Sequence, residues 1–572
     1  MILVLLLQAA DFTHDVLPRL TKLGCNAGSC HGASTGQGGF RLSLLGFDPD
    51  ADHRAIAREL RGRRVDLARP DESLLLRKPL KKLKHGGGRA LEEGSESHRV
   101  LRDWIAAGAP ARSGPARELE GLEAAPGRVL ARYSDGSSRD VTALALLTSN
   151  DDAIAADDGT VKAPGETSLM IRYGGRVAAV RVGRPFGPPT ENRGRRGPID
   201  DPINAKLDAF GLRAAPPCDD AAFLRRATLD AHGRLPSPDE IRAFDGDRDA
   251  LVDRLVAAPA FDVRWGELWA DVLDAKAPAF RDYVRGAIRR PWSETVRGLL
   301  VAEPHLYLRT DDPRALAETV GRAFLGARWG CAQCHNHPFE RFSRLDYHGM
   351  AAYFARVRVR DGRVALEPRG EIELEGRPVL PPFGASEDRR EDLARWVVER
   401  PDFARAAANR VWALLLGRGL VEPADDLRAS NPATHPELLE LLAAEFRKDA
   451  SLPRLAALVM KSAAYARGAG RGGPFYDTRA PRPLDSRVLA RAVGRVLGTE
   501  PPALPASGTL ARTLALMNGP AGRAGDVEDL YLRTLSRRPT PEERALWTGE
   551  GDEYWEDLLW ALLNSKEFGT NH

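Results

Sequence analysis

Cys25-Asn-Ala-Gly-Ser-Cys30-His31 places two thiols and an imidazole on one short stretch, and Cys331-Ala-Gln-Cys334-His335 repeats the theme far downstream. Each ends in a histidine directly after the second cysteine of a close pair. Four of the five cysteines fall in these clusters, and the fifth, Cys218, has no cysteine near it in sequence. The second cluster has the Cys-x-x-Cys-His spacing of covalent c-type haem attachment. The chemistry accounts for the spacing. Two thiols add across the two vinyl groups of one porphyrin, and the next histidine comes to lie under the iron as an axial ligand.

The first cluster holds four residues between its cysteines instead of two. Asn26 to Ser29 can bulge while both sulfurs still reach the vinyls, and Gly28 and Gly32 favour such a tight path. Cys25, Cys30 and His31 are therefore read as a haem c site, with His85 of His85-Gly-Gly-Gly88 as distal ligand. Ligation by two imidazoles gives a low-spin, six-coordinate iron suited to electron transfer. A disulfide between Cys25 and Cys30, or another metal, is the alternative. His85, beside Lys81, Lys82 and Lys84, also reads as a surface histidine. Cys331, Cys334 and His335 are read as a second haem c site, with His348 or Met350 as distal ligand. Because His337 follows closely, Cys331, Cys334, His335 and His337 also make a Zn, Fe or Cu donor set, cramped for tetrahedral zinc. A disulfide or free thiols are the remaining readings of that pair.

A chain of 572 residues suggests about three or four domains. Its 83 basic and 80 acidic residues leave a formal charge of +3, with Arg spread throughout, which speaks against a nucleic-acid footprint. Residues 1–10, Met1-Ile-Leu-Val-Leu-Leu-Leu-Gln-Ala-Ala10, read as a signal-peptide remnant, apolar and ending in small residues but lacking a basic start. A buried N-terminal strand is the other reading. No other run reaches the roughly 18 apolar residues of a membrane span. Covalent haem attachment in bacteria happens after export, so an exported protein of the periplasm or cell surface is expected.

Beyond the first cluster the character of the chain changes several times. Residues 11–112 read as a small helical unit closed by Val100-Leu101-x-x-Trp104-Ile105. Its order of attachment motif, loops, distal ligand and closing helix is similar to a class I cytochrome c, with His85 where many such proteins carry methionine. Residues 116–184 read as a β-sandwich. Val129 to Tyr133 precedes the turn Ser134-Asp135-Gly136-Ser137, and Leu169 to Tyr173 and Val177 to Val182 flank Gly174-Gly175. Residues 185–202 are a Pro, Gly and Arg-rich linker. Residues 203–356 and 392–572 are helical in period, and residues 357–391 between them alternate like a hairpin and loop. The fold class is multidomain and mainly α.

Longer strings carry a resemblance over nearly the whole chain. Tyr133-Ser-Asp-Gly-Ser-Ser-Arg-Asp-Val-Thr142 and Asp157-Asp-Gly-Thr-Val161 resemble group 2 bacterial Ig-like domains. Phe223-Leu-Arg-Arg226, Gly233-Arg-Leu-Pro-Ser-Pro238 and the second cysteine cluster, then Ala408-Asn-Arg-Val-Trp412, Gly417-Arg-Gly419, Thr434-His-Pro-Glu437 and Leu562-Leu-Asn-Ser-Lys-Glu-Phe568, resemble two helical domains of unknown function. In that order the domains are similar to the large planctomycete cytochrome-type proteins. The resemblance implies a haem-binding unit, an Ig-like spacer and two helical domains without a transferable activity.

Other prominent residues read as structural. Trp265, Trp269, Trp292, Trp412, Trp555 and Trp560 sit at core-like positions, and Thr434 reads as a cap for the helix after His435. Phosphate-loop and His-Glu-x-x-His patterns are missing from the sequence. The expected function is an exported c-type haem protein, with one or two covalent haems, that passes electrons to a redox partner protein. The alternative is a cell-surface carbohydrate-binding or carbohydrate-processing protein with a redox accessory domain, its partner a glycan.

Overall fold

The computed structural model describes residues 10–33, 35–113, 117–192, 197–337, 339–340, 342–502, 526–549 and 551–572. The apolar run read as a signal-peptide remnant lies, but for Ala10, outside these residues. The chain is mainly helical with small antiparallel sheets. No helix among the described residues is long and apolar enough to cross a membrane.

In the N-terminal unit a π-helical turn, Phe12–Val16, runs directly into the helix Leu17–Lys22. Asp11 caps the start by accepting from the His14 N–H. Pro49–Ala57 is capped by Asp48, and the closing helix Glu96–Ala106 by Ser95. The first and last helices meet where Phe12 packs against Trp104 and the His53 ring, and Val16, Leu20, Ile56, Leu101 and Ile105 complete the core.

Two three-stranded antiparallel sheets follow: β1 (Leu119–Ala125), β2 (Arg128–Tyr133) and β3 (Ser138–Asp140), then β4 (Leu146–Ser149), β5 (Gly165–Tyr173) and β6 (Arg176–Arg184). Strand β2 alternates, with Val129, Ala131 and Tyr133 turned inward. Gly174 and Gly175 both have positive φ, as the tight β5–β6 turn requires. Tyr133 and Tyr173 meet hydroxyl to hydroxyl at 3.1 Å inside this core.

The strand unit is fastened at both ends. Toward the N-terminal unit, the Tyr173 hydroxyl donates to the His14 carbonyl at 2.8 Å, and Arg139 pairs with Asp15 at 2.8 Å. Toward the helices, Asn150 Nδ2 donates to the Ser430 carbonyl at 3.0 Å. Glu166 of β5 meets both Arg181 of β6 and Lys206 of the helix Asp200–Ala209.

The helical remainder packs as one body. Many of its helices begin with proline in the first turn, among them Pro259–Val272, Pro313–Phe324, Pro401–Leu416 and Pro436–Arg447, where the missing N–H costs nothing. One apolar core runs from Ile199 to Tyr476, drawing on helices before and after the insertion of two β-hairpins, Val357–Arg360 with Arg363–Leu366 and Ile372–Leu374 with Arg377–Val379. A second core joins Leu229 and Leu235 to Leu489, Leu530, Leu559 and Phe568. Both cores therefore mix residues from the stretches read as separate helical domains. Trp265, Trp269, Trp292 and Trp412 are buried, but Trp555 is only partly covered and Trp560 is 46 % exposed, on the outer face of the helix Asp552–Leu563. Thr434 does not cap its helix, because its hydroxyl is spent on the Leu420 carbonyl at 3.1 Å.

Candidate functional site

The first cysteine cluster sits in a run of turns directly after the helix Leu17–Lys22. The loop folds back on itself, with the His31 N–H on the Cys25 carbonyl at 3.1 Å and the Leu42 N–H on the His31 carbonyl at 2.7 Å. Asn26 is wholly buried and ties the bulge to the preceding helix through Thr21 Oγ1, 2.9 Å away. Gly32 is required for space. A Cβ there would stand 2.1 Å from the Asn26 carbonyl oxygen, whereas one on Gly28 would meet only Leu44 at ordinary contact distance.

Next to this loop, His85 comes up against His31. Their ring centroids lie 6.4 Å apart and their planes are 17° from parallel. His31 Nδ1 donates to the Phe40 carbonyl at 3.0 Å and His85 Nδ1 to the Gly88 carbonyl at 3.0 Å, since a carbonyl can only accept. Gly88, at φ +73°, turns that carbonyl back toward the ring. Each imidazole is thereby fixed with Nε2 carrying the lone pair. No hydrogen-bond partner of either Nε2 is found among the described residues. Burial, with smaller contributions from His85, Lys78 and Arg64, holds His31 below the ordinary histidine range, so it is neutral at pH 7. Phe40 packs against His31 with ring centroids 4.5 Å apart and planes tilted by 47°, and is itself held under the Arg64 guanidinium at 4.4 Å.

Both histidines and both cysteines line one cavity of about 270 Å³. Leu20, Leu42, Leu74 and Leu75 make its wall, and Leu60, 64 % exposed, stands at its rim. Arg63 and Lys78 also line it and make no ion pair among the described residues. Burial, more than the neighbouring Cys30, pushes the Cys25 thiol up to about 11, so it stays protonated. Paired thiols, two imidazoles with open Nε2 atoms, an apolar wall and two unpaired cations are a donor set and lining that fit a covalently held porphyrin.

The second cluster is built differently. Cys331 and Cys334 lie on and just after the 3₁₀ turn Gly330–Gln333, and both are exposed free thiols, as is the His335 ring beside them. His337 instead points inward. Its Nε2–H donates to the Arg328 carbonyl at 3.1 Å while Nδ1 accepts from the Phe339 N–H at 3.1 Å, and burial takes it down to about 4. With both nitrogens committed to backbone, His337 closes the loop as a neutral ring. His348, on the helix Arg344–Ala352, donates to the Gln333 carbonyl at 3.3 Å, and Met350 is buried in the core. Among the described residues, no group of three or more His, Cys, Asp or Glu side chains is arranged to hold a metal ion.

Comparison with known families bears on the helical body. Residues 198–303 and 301–359 match the family model PSCyt2, a protein of unknown function (DUF1549). Residues 389–501 match PSD1, a protein of unknown function (DUF1553). No curated protein and no solved structure matches the chain.

The strings that carry the resemblance in the PSCyt2 and PSD1 segments have structural work. Arg225 and Arg226 reach backbone carbonyls of distant segments. Ser237 and Glu240 form a reciprocal capping box, with Arg234 on the glutamate at 2.6 Å. Asn409, wholly buried, exchanges two hydrogen bonds of 2.9 Å with the Val421 backbone. Sequence reading gave Asn26 only as part of the bulge and missed Phe40 and Arg64, which lie outside the Cys25–His31 string.

Proposed function

We propose that this protein is an exported c-type haem protein that carries electrons, with haem held covalently by Cys25 and Cys30 and ligated by His31 and His85. The observation that carries the proposal is the opposed pair of imidazoles, far apart in sequence, each with Nδ1 tied to a backbone carbonyl. With ring centres 6.4 Å apart and no partner found for either Nε2 among the described residues, His31 and His85 are the residues that would hold the iron. Haem, when bound, supplies one-electron redox chemistry. The chain's own part is to hold the ligands and set their environment. Phe40 and Gly88 orient the two rings and strengthen them as donors, as partners behind a ligand do. Leu20, Leu42, Leu74 and Leu75 exclude water from the porphyrin face, and Arg63 and Lys78 offer charge to its propionates.

On this reading residues 11–112 form a cytochrome c-like unit and residues 116–184 an Ig-like spacer. The meeting of their first and last helices at Trp104, and the two small sheets joined at Tyr133 and Tyr173, support it. Cys331, Cys334 and His335 are a second, exposed attachment point in the same proposal. The test is intact mass measurement of protein made with a haem-maturation system. A covalent adduct lost on Cys25→Ala supports the proposal, and an unmodified chain refutes it. A second adduct lost on Cys331→Ala decides the second cluster.

A further inference from the structure

Arg172 lies on β5 sealed from water, only 4 % exposed. Its Nε and Nη2 atoms have no hydrogen-bond partner, and it makes no ion pair, among the described residues. Burial alone lowers it, to about 10, so it keeps its charge at pH 7. Other buried arginines of the chain are answered. Arg225 reaches the Thr534 and Phe568 carbonyls, and Arg479 the Asp230 carboxylate. A guanidinium withdrawn from water without an acceptor is costly, and an anion beside it removes that cost.

Room for one lies on the same side of the sheet. A cavity of about 10 Å³, lined by Arg172, opens between the strands and the N-terminal unit. That is about the space one water-sized guest needs. Leu146, paired with Arg172 across β4 and β5, and Gly174, two residues on, both line it, so it lies on the face that carries the Arg172 side chain. Leu17 and Gly46 close it from the N-terminal unit, and its lining contains no Asp or Glu. The acids that follow or precede wall residues in sequence are placed elsewhere. Asp15 pairs with Arg139 at 2.8 Å, and Asp48 is exposed and accepts from the Ala51 N–H at 2.9 Å. The N–H groups of Gly174 and Gly175, in the wall, reach no acceptor among the described residues. The field of Arg172 extends to His337, but both nitrogens of that ring are committed to backbone, so it offers no acceptor either.

We propose that this cavity binds one halide ion, chloride in ordinary media, against the Arg172 guanidinium, and that the ion secures the joint between the N-terminal unit and the strand layer. The space decides the class of anion. It suits a single atom, whereas phosphate, sulfate and organic carboxylates are several times larger. The proposal is independent of haem binding at the first cluster and is tested without haem.

The experiment measures thermal melting of the full chain in sodium chloride, bromide, gluconate and sulfate at one ionic strength. Relative to gluconate, chloride and bromide should raise the melting temperature of the parent, by an increment that grows with the logarithm of halide concentration. Arg172→Met should lose that increment while responding to sulfate as the parent does. In gluconate the variant should be at least as stable as the parent, because it removes an unanswered buried charge. Diffraction from crystals of the parent grown in bromide should place an anomalous signal beside Arg172. Equal melting of the parent in chloride and gluconate, a chloride increment kept by Arg172→Met, a marked loss of stability of that variant in gluconate, or only water beside Arg172 in the bromide crystals would each overturn the proposal.

Discussion

Arg225 and Phe568 stand 343 residues apart, yet Arg225 Nη2 donates to the Phe568 carbonyl at 2.9 Å. The same guanidinium reaches the Thr534 carbonyl at 2.9 Å, and Arg226 reaches the His572 carbonyl at 3.1 Å. One turn further along the helix Asp220–His232, Asp230 collects four donors: Tyr465, Arg479, Arg482 and Asn571. A single helix of the PSCyt2 segment thus gathers the backbone that follows the PSD1 segment.

Asp230→Asn should therefore be among the most damaging single changes in the helical body. It leaves Arg479 and Arg482 beside a neutral amide, and breaking such a buried charge set typically costs about 3–5 kcal/mol. Urea denaturation of the variant should show that loss. A change below about 1 kcal/mol would mean that the neutral acceptors around the arginines suffice.

His85→Ala removes the imidazole facing His31 and nothing from the core. The haem-loaded parent should be low-spin and slow to take carbon monoxide, and the variant should shift toward high spin and bind it rapidly. Identical spectra and ligand binding would return His85 to the surface.

Gly32→Ala should disrupt the first cluster, since its Cβ would sit 2.1 Å from a backbone oxygen that no side-chain rotation can move. A clash of this kind costs about 2–4 kcal/mol. The variant should melt earlier and carry less covalent haem, while Gly28→Ala should do neither.

The strand alternation and the two Cys-Cys-His strings were readable because each is a local pattern, whereas the approach of His85 to His31 was expected only from the order of the chain. Val129, Ala131 and Tyr133 point inward at every second residue. Gly32 was read for backbone freedom, but its importance lies in the oxygen of Asn26, which only the folded loop brings near. The sharing of cores was not readable at all. Asn409, Arg225 and Asp230 act through partners whose spacing carries no period, so nothing in the sequence distinguishes two helical domains from one helical body.

Acid should destabilise the joint between strands and helices through His435. Burial, aided by Lys206, Arg181 and Arg467, lowers it to about 3 in the folded chain. The unfolded chain takes up that proton below about 6.5, so stability is lost as pH falls from about 6.5 toward 3. The slope is up to about 1.4 kcal/mol per pH unit. His435→Gln should flatten the pH dependence of urea stability across that range, and an unchanged slope would assign the acid sensitivity to other groups.

Tyr173→Phe deletes one hydroxyl that bridges Tyr133 to the His14 carbonyl. The loss should be about 1 kcal/mol, and hydrogen exchange should rise at Phe12–Val16 while the β5–β6 pairing stays protected.

The fastening of the strand unit at both ends has a kinetic meaning. With Tyr173 and Arg139 gripping one neighbour and Glu166 and Asn150 the other, the β-layer behaves as a strut and not as a hinge. A redox centre mounted on such a bracket could not swing toward its acceptor. The acceptor would have to come to it, and turnover would then rise with partner concentration instead of levelling off at the speed of a domain motion.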